Sequence, residues 1–181
     1  RFVDSAVQSA GLDGGLDDAP ILVDKFLDGA TEVDVDVIAD FDPSKQTDEG
    51  RAIVCGILEH IEHAGVHSGD STCFLPPTAL PARTIERVRE AATKLAGALR
   101  VRGLMNVQLA IKDDVVYVLE VNPRASRTAP YVSKATHVPW PNMAARVMMG
   151  ASLAELGVSE VSNTGACAVT APVLPHQKVT R

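Results

Sequence analysis

Aromatic residues are scarce in this chain: Phe, Trp and Tyr make up 4% of its 181 residues. The apolar fraction is still 46%, so a core must be packed mainly from Val, Leu, Ile and Ala. A basic excess is also missing. A net charge of −6 argues against a nucleic-acid-binding surface, which normally needs a basic face. No apolar run approaches the roughly 20 residues of a membrane-spanning helix. There are three cysteines. Cys55, Cys73 and Cys167 lie among apolar or small residues, and an odd set of this kind predicts free thiols in a reducing compartment, hence a cytoplasmic location. Internal repeats and low-complexity tracts are absent. No signal or transit segment precedes Arg1, which is no natural start, so the chain reads as a piece of something larger.

What is present is an alternation of short strands and helices. Residues 1–10 suit the last turns of a helix, and GLDGGLDDAP is a glycine-aspartate loop. ILVDKFL (21–27) predicts a short strand. EVDVDVI (32–38) alternates strictly, with Glu32, Asp34 and Asp36 on one face and Val33, Val35 and Val37 on the other. FDPSKQTDEG is a polar loop, AIVCGILEHI (52–61) a further strand, and STCFLP (71–76) a short one. Pro81 opens a helix, where its missing N–H costs nothing. Ile85, Val88, Ala92, Leu95 and Leu99 form its buried stripe, and Gly103 is its expected cap. GLMNVQLAI and VVYVLEV predict a hairpin around Lys112, Asp113 and Asp114. Residues 126–136 and 140–149 read as helices separated by Pro139. The pattern predicts an α/β (α+β) domain dominated by an antiparallel sheet, with helices packed on one face.

Three clusters carry chemistry. In YVLEVNPRASRT (117–128) a strand presents Glu120 and Asn122 on one face, then Arg124 and Arg127, with Gln108 on the partner strand. Oxygen donors on one sheet face suit Mg²⁺, which takes its other ligands from water and phosphate, and arginine forks suit phosphate oxygens. That pairing is what phosphoryl transfer uses. A solvated outer face of a hairpin is the plain alternative. Sharing a metal requires Gln108 opposite Glu120 and Asn106 opposite Asn122. This predicts a three-residue loop, Asp113 to Val115, or an equivalent bulge, with Val107, Leu109, Leu119 and Val121 turned into the core. In EHIEHAGVH (59–67), His60 and His63 are too closely spaced for a helical zinc pair. Residues 65–69 read instead as a turn bringing backbone N–H groups, His67 and Ser68 toward an anion or nucleotide. In KFLDGATEVDV (25–35), backbone groups near Phe26 and Leu27 would read an adenine edge and Glu32 would accept from ribose. Taken alone, that segment is also consistent with a hairpin exposing an acidic face.

These segments, in this order, resemble the ATP-grasp fold. EVNPR at 120–124 is similar to the end of the biotin carboxylase pattern. EHIEHAGVHSGDS, RGLMNVQLAIK, EVNPRASRTAPYVSKATHVP and AARVMMGASLAELG together resemble the large chain of carbamoyl-phosphate synthase, from about residue 20 to residue 157. The wording EHIEHAGVHSGDS and RGLMNVQ looks like that chain's second half, which phosphorylates carbamate, since the bicarbonate-phosphorylating half reads closer to ENFDAMGIHTGDS. The resemblance implies ATP contacts at Lys25, Leu27, Glu32, Gly65, Val66, His67, Ser68, Gln108 and Glu120. It implies Mg²⁺ or Mn²⁺ at Gln108, Glu120 and Asn122, and Arg124 and Arg127 as the catalytic arginines holding carbamate or the transferring phosphoryl group. Lys25 stands where many members have histidine, and the loop at 41–51 is longer than the family's tight turn.

Residues 1–20 would close the smaller ATP-grasp lobe, 21–150 would form the main lobe, and 151–181 would begin a connecting segment. Partners implied are the remainder of the large chain, a glutamine amidotransferase subunit or domain, and carbamate, in pyrimidine and arginine synthesis; neither nucleic acid nor membrane is implied. The piece alone is expected to be inactive. Two other readings remain: an ATP-grasp ligase of the biotin carboxylase type, and a non-catalytic nucleotide-binding module.

Overall fold

The computed structural model describes residues 25–45, 49–66, 70–160 and 166–172. The segments read above at 1–24, and His67 and Ser68, lie outside these residues.

The described residues form one six-stranded sheet, every pairing of which is antiparallel, in the order β5-β4-β1-β2-β3-β6. The strands are β1 (Thr31–Asp40), β2 (Ala52–His63), β3 (Cys73–Leu75), β4 (Arg102–Lys112), β5 (Val115–Asn122) and β6 (Ala168–Thr170). Between β3 and β4 runs helix α1 (Ala82–Ala98), and after β5 come α2 (Ala129–Thr136) and α3 (Trp140–Met148).

The sheet has two apolar faces. Val33, Val35 and Val37 of β1 pack with Val107 and Leu109 of β4 against Val88, Ala92 and Ala96 of α1. On the opposite side, Ile38, Ile53, Cys55 and Leu104 pack under Val132 of α2 and Trp140, Ala144 and Val147 of α3. Helices therefore lie on both faces rather than one. The reason is the second set of aliphatic residues at one end of the other face, which needs a cover of its own. Leu153 and Val158 join that second core, and β6 pairs with β3, so the sheet draws on residues beyond 150.

Helix α1 begins one residue after Pro81, which occupies the cap. Its far end departs from expectation. Leu99 is 52% exposed, and the chain turns at Arg100 (φ 51°) rather than at a glycine. The Arg100 N–H donates to Gly97 O and the Val101 N–H to Ala96 O, both at 3.0 Å, the paired bonds of a Schellman ending. Gly103 lies three residues on, inside β4, with φ +112° and Met148 close against it.

The segment expected as a strand at 21–27 shows no strand over its described part, 25–27. It enters a turn closed by the Ala30 N–H donating to Leu27 O (3.1 Å). Strand β2 in turn outruns its expected end and carries His60 and His63 within it.

Candidate functional site

The hairpin β4–β5 sets the site. Its tip is a two-residue turn: Lys112 pairs with Val115, and Asp113 and Asp114 both have positive φ, 49° and 64°. That is the geometry of a type I′ turn, whose twist matches the flanking strands. Asp114 is anchored to the start of α1, accepting from Thr84 Oγ1 (3.0 Å) and from the Arg83 guanidinium. A two-residue tip alone would put Val107 opposite Glu120. Instead a bulge at Leu119 supplies one extra residue, and the register becomes Gln108 opposite Glu120, Val107 opposite Val121 and Asn106 opposite Asn122. The three-residue loop is therefore corrected to its bulged equivalent, and the polar residues share one face. The bulge has a second effect. Leu119 is not turned into the core but is 48% exposed, whereas Val107 and Leu109 are fully buried and Val121 packs at the core's margin.

The central strand completes this face. Asp34 pairs with Gln108 and Asp36 with Asn106. These acids are not an exposed acidic edge: Glu32, Asp34 and Asp36 are 4%, 1% and 2% exposed. Each has a partner. The Glu32 carboxylate accepts the Gly65 N–H at 3.1 Å. Asp34 Oδ2 meets His60 Nε2 at 3.0 Å. Burial alone would lower the His60 pKa, but hydrogen bonds to Asp34 and Cys73 prevail and raise it to about 10. Asp36 Oδ1 accepts from Asn106 Nδ2 (3.0 Å) and Ser126 Oγ (2.8 Å), and Asp36 Oδ2 lies 2.7 Å from Thr128 Oγ1 in a further hydrogen bond. Burial pushes its carboxyl pKa up, against the pull of those bonds.

A cavity of about 480 Å³ opens over these residues, walled by Asp34, Gln108, Glu120, Asn122, Arg124 and Arg127 among others. Arg124 folds along its own loop, donating to Asn122 Oδ1 and Ala125 O, each at 3.2 Å. Asp34 Oδ1 and the Tyr131 hydroxyl are buried without a partner among the described residues, and both residues line this cavity. Among the described residues no three His, Cys, Asp or Glu side chains converge on a metal position. The oxygen donors on this wall are the amides of Gln108 and Asn122 and the carboxylates of Asp34 and Glu120, and one or two carboxylates with water and phosphate are the habit of Mg²⁺.

The remaining predicted contacts gather at the other end of β1. Lys25 and Leu27 precede its first residue, Gly65 and Val66 follow β2, Gly65 lies against the Phe26 ring, and the Ala64 N–H donates to Ala30 O (2.9 Å). Glu32 stands between the two groups. Sequence reasoning did not assign Asp34, Ser126, Thr128, Tyr131, or Thr170 to Pro172 on the cavity wall, nor Asp36, which is bonded to Asn106, Ser126 and Thr128 of that wall. Acids at alternate positions of a valine strand were the signal for Asp36. Thr170 ends β6 and Ala171 and Pro172 follow it, a segment that no local pattern connects to the site. All three cysteines are free, Cys167 exposed and the others buried. Among the described residues no helix is long and apolar enough to cross a membrane.

Comparison with known proteins places this arrangement. The structure described as "Biotin Carboxylase domain of single-chain bacterial carboxylase" matches with a TM-score of 0.67 at 16% identity, covering 92% of this chain and 41% of that one. A single-chain, multi-domain long-chain acyl-CoA carboxylase gives 0.63 at 21% identity, over 85% of this chain and 15% of that one. At such identities the likeness concerns the fold, and that fold is of the ATP-grasp class.

The family described as "Carbamoyl-phosphate synthase L chain, ATP binding domain" matches residues 2–156, and the chain belongs to it. The carbamoyl phosphate synthase large chain of Xylella fastidiosa (strain Temecula1) is 48% identical over 184 residues, covering 99% of this chain and 16% of that protein. The large chain of Corynebacterium glutamicum is 54% identical over 139 residues (77% and 12%), and that of Archaeoglobus fulgidus 51% over 160 residues (88% and 14%). The chain thus spans about a sixth or less of the length of these curated relatives.

Proposed function

We propose that this chain is the main lobe of the second ATP-grasp half of a carbamoyl-phosphate synthase large chain, transferring the ATP γ-phosphoryl group to carbamate. The observation that carries this reading is the pairing of Gln108 with Glu120 and of Asn106 with Asn122 on a cavity wall shared with Arg124 and Arg127. Gln108, Glu120 and Asn122 would hold Mg²⁺ or Mn²⁺. A divalent ion there supplies neutralisation of the phosphate oxygens during transfer. Arg124 and Arg127 would bind the anionic acceptor and orient its attacking oxygen toward the γ-phosphorus, the positioning on which this chemistry depends. Lys25, Leu27, Glu32, Gly65, Val66, His67 and Ser68 would hold the nucleoside end. The products are carbamoyl phosphate and ADP, with the glutamine amidotransferase and the rest of the large chain supplying the nitrogen and the preceding step. The residues 1–181 by themselves would be inactive, because closure over the nucleotide needs a second lobe.

The test is Glu120→Gln in the intact enzyme, which keeps shape and removes charge. Carbamoyl phosphate synthesis should fall at least about a hundredfold, the scale of losing a major electrostatic stabiliser. ATP formation from carbamoyl phosphate and ADP should fall with it while bicarbonate-dependent ATP hydrolysis persists. Loss of the bicarbonate-dependent reaction instead would move the chain to the first half. Near-normal activity in both would remove Glu120 from the metal site.

A further inference from the structure

We infer that Asp36 is a positioning residue that acts as a neutral carboxylic acid, closing a hydrogen-bonded ring with Ser126 and Thr128 that sets the arginine loop against the sheet. The inference rests on the proposal that this loop carries the acceptor site.

The ring has three sides. Asp36 Oδ1 lies 2.8 Å from Ser126 Oγ, Ser126 Oγ lies 2.6 Å from Thr128 Oγ1, and Thr128 Oγ1 lies 2.7 Å from Asp36 Oδ2. Each contact is short enough to need a proton between its oxygens. Two hydroxyls supply two protons. An ionised Asp36 would leave one side of the ring as two facing lone pairs; a protonated one supplies the third. In that arrangement Asp36 Oδ2–H donates to Thr128, Thr128 to Ser126, and Ser126 to Asp36 Oδ1. The outer contacts fit as well. Asp36 Oδ1 also accepts from Asn106 Nδ2 (3.0 Å), and Ser126 Oγ accepts the Ala129 N–H (3.2 Å) at the start of α2. The acid is 2% exposed, and burial favours its neutral form.

The position of the ring gives it a role. Ser126 and Thr128 flank Arg127, and Ser126 lies two residues after Arg124. Among the described residues the bonds of Arg124 run to Asn122 and Ala125, within its own loop and strand, and none of these reaches the centre of the sheet. Asp36 sits on the central strand, and it bonds Asn106, the residue paired with Asn122. One buried acid thus links the floor of the cavity, the loop that carries both arginines and the first turn of α2.

The experiment uses the intact enzyme in the ATP-forming direction, with separate KM values for carbamoyl phosphate and ADP and a melting temperature for each variant. Asp36→Ala should raise the carbamoyl phosphate KM at least about tenfold, with the ADP KM within about twofold, because displaced acceptor groups lose orientation steeply. Asp36→Asn offers the same donor and acceptor geometry without a charge, so its acceptor KM should rise no more than about threefold. Should Asp36→Ala fail to fold, the half-buried pair Ser126→Ala and Thr128→Val tests the ring from the loop side, with the same rise expected. An Asp36→Asn defect as large as that of Asp36→Ala would overturn the neutral acid. Nucleotide and acceptor KM values moving together, or an unchanged acceptor KM in the folded double variant, would overturn the positioning role. If Glu120→Gln shows the acceptor to be bicarbonate, the same comparison is read on bicarbonate, and the fate of the ring is decided separately from that of the acceptor.

Discussion

On the α1 side of the sheet, Val33, Val35, Val37, Val107 and Leu109 are fully buried against one helix. One residue along the same strands, facing the other way, Asp34, Asp36 and Asn106 are buried nearly as deeply. Equal burial here has opposite causes. The aliphatic side is held by removal of apolar surface from water, which is non-directional and proportional to area. The polar side would cost free energy unless bonded, and it persists because His60, Asn106, Ser126 and Thr128 meet its acids at 2.7 to 3.0 Å. Well-packed aliphatic residues often serve stability as well as a buried polar cluster does. The polar half of the sheet is therefore explained by the cavity above it rather than by the fold.

The sharpest way to break that division is to cut each side separately. Leu109→Ala should cost about 2–5 kcal/mol in urea denaturation of this chain, the usual range for a large core truncation. Glu120→Gln should stay within about 0.5 kcal/mol of wild type, as exposed substitutions usually do. Equal losses would show that the two faces do not divide the work.

His60 tests the polar side by pH. Its folded pKa of about 10 stands above the ordinary 6.5, so the folded state keeps a proton that the unfolded state has lost. The stabilisation is complete below about pH 6.5 and disappears as pH rises through about 10, a change on the order of 5 kcal/mol. His60→Gln should flatten the fall in the urea midpoint between pH 7 and pH 10. An identical fall in both proteins would mean that His60 is not held charged.

A milder loss than that of Leu109→Ala belongs to the apolar half of the cavity-side face. A methyl group at Gly56 would lie 2.9 Å from Val132 Cγ1 and 3.2 Å from Leu75 Cδ1. Gly56→Ala should therefore destabilise by about 1–3 kcal/mol through overpacking. A neutral result in the same denaturation assay would show that α2 can shift away from the sheet.

Much of this was legible in the sequence wherever a period was strict. The valines of β1, the run from Val88 to Ala92 in α1, and the helices around Pro139 follow from spacing and breakers alone. What was not legible depended on contacts from afar. Leu99 continues the helical stripe, but among the described residues no element covers it. Arg100 takes the left-handed turn, held by its bond from Nε to Asp42 O (3.1 Å), a partner 58 residues away. Glu32, Asp34 and Asp36 look solvent-facing in a strand viewed alone, because the groups that bury them come from distant residues: β2 and β4 on either side, Gly65, Ser126 and Thr128. Within the site, Glu120, Asn122 and the arginines stood out as a local cluster. The Asp36 ring and the wall from Thr170 to Pro172 are assembled by topology.

The extra residue at Leu119 has a consequence for how length varies in this hairpin. Removing it would leave Val118 opposite Leu109 and Glu120 opposite Gln108, now as an unbroken ladder, with only the added local twist of the bulge lost. Adding or removing a single residue at the Asp113–Asp114 tip would instead shift the ladder and turn one strand's side chains over. When relatives of different length are aligned, a one-residue gap therefore belongs at position 119 and not at the tip. A peptide tag or fluorophore attached at the tip would be separated from Glu120 by a residue that can absorb the disturbance.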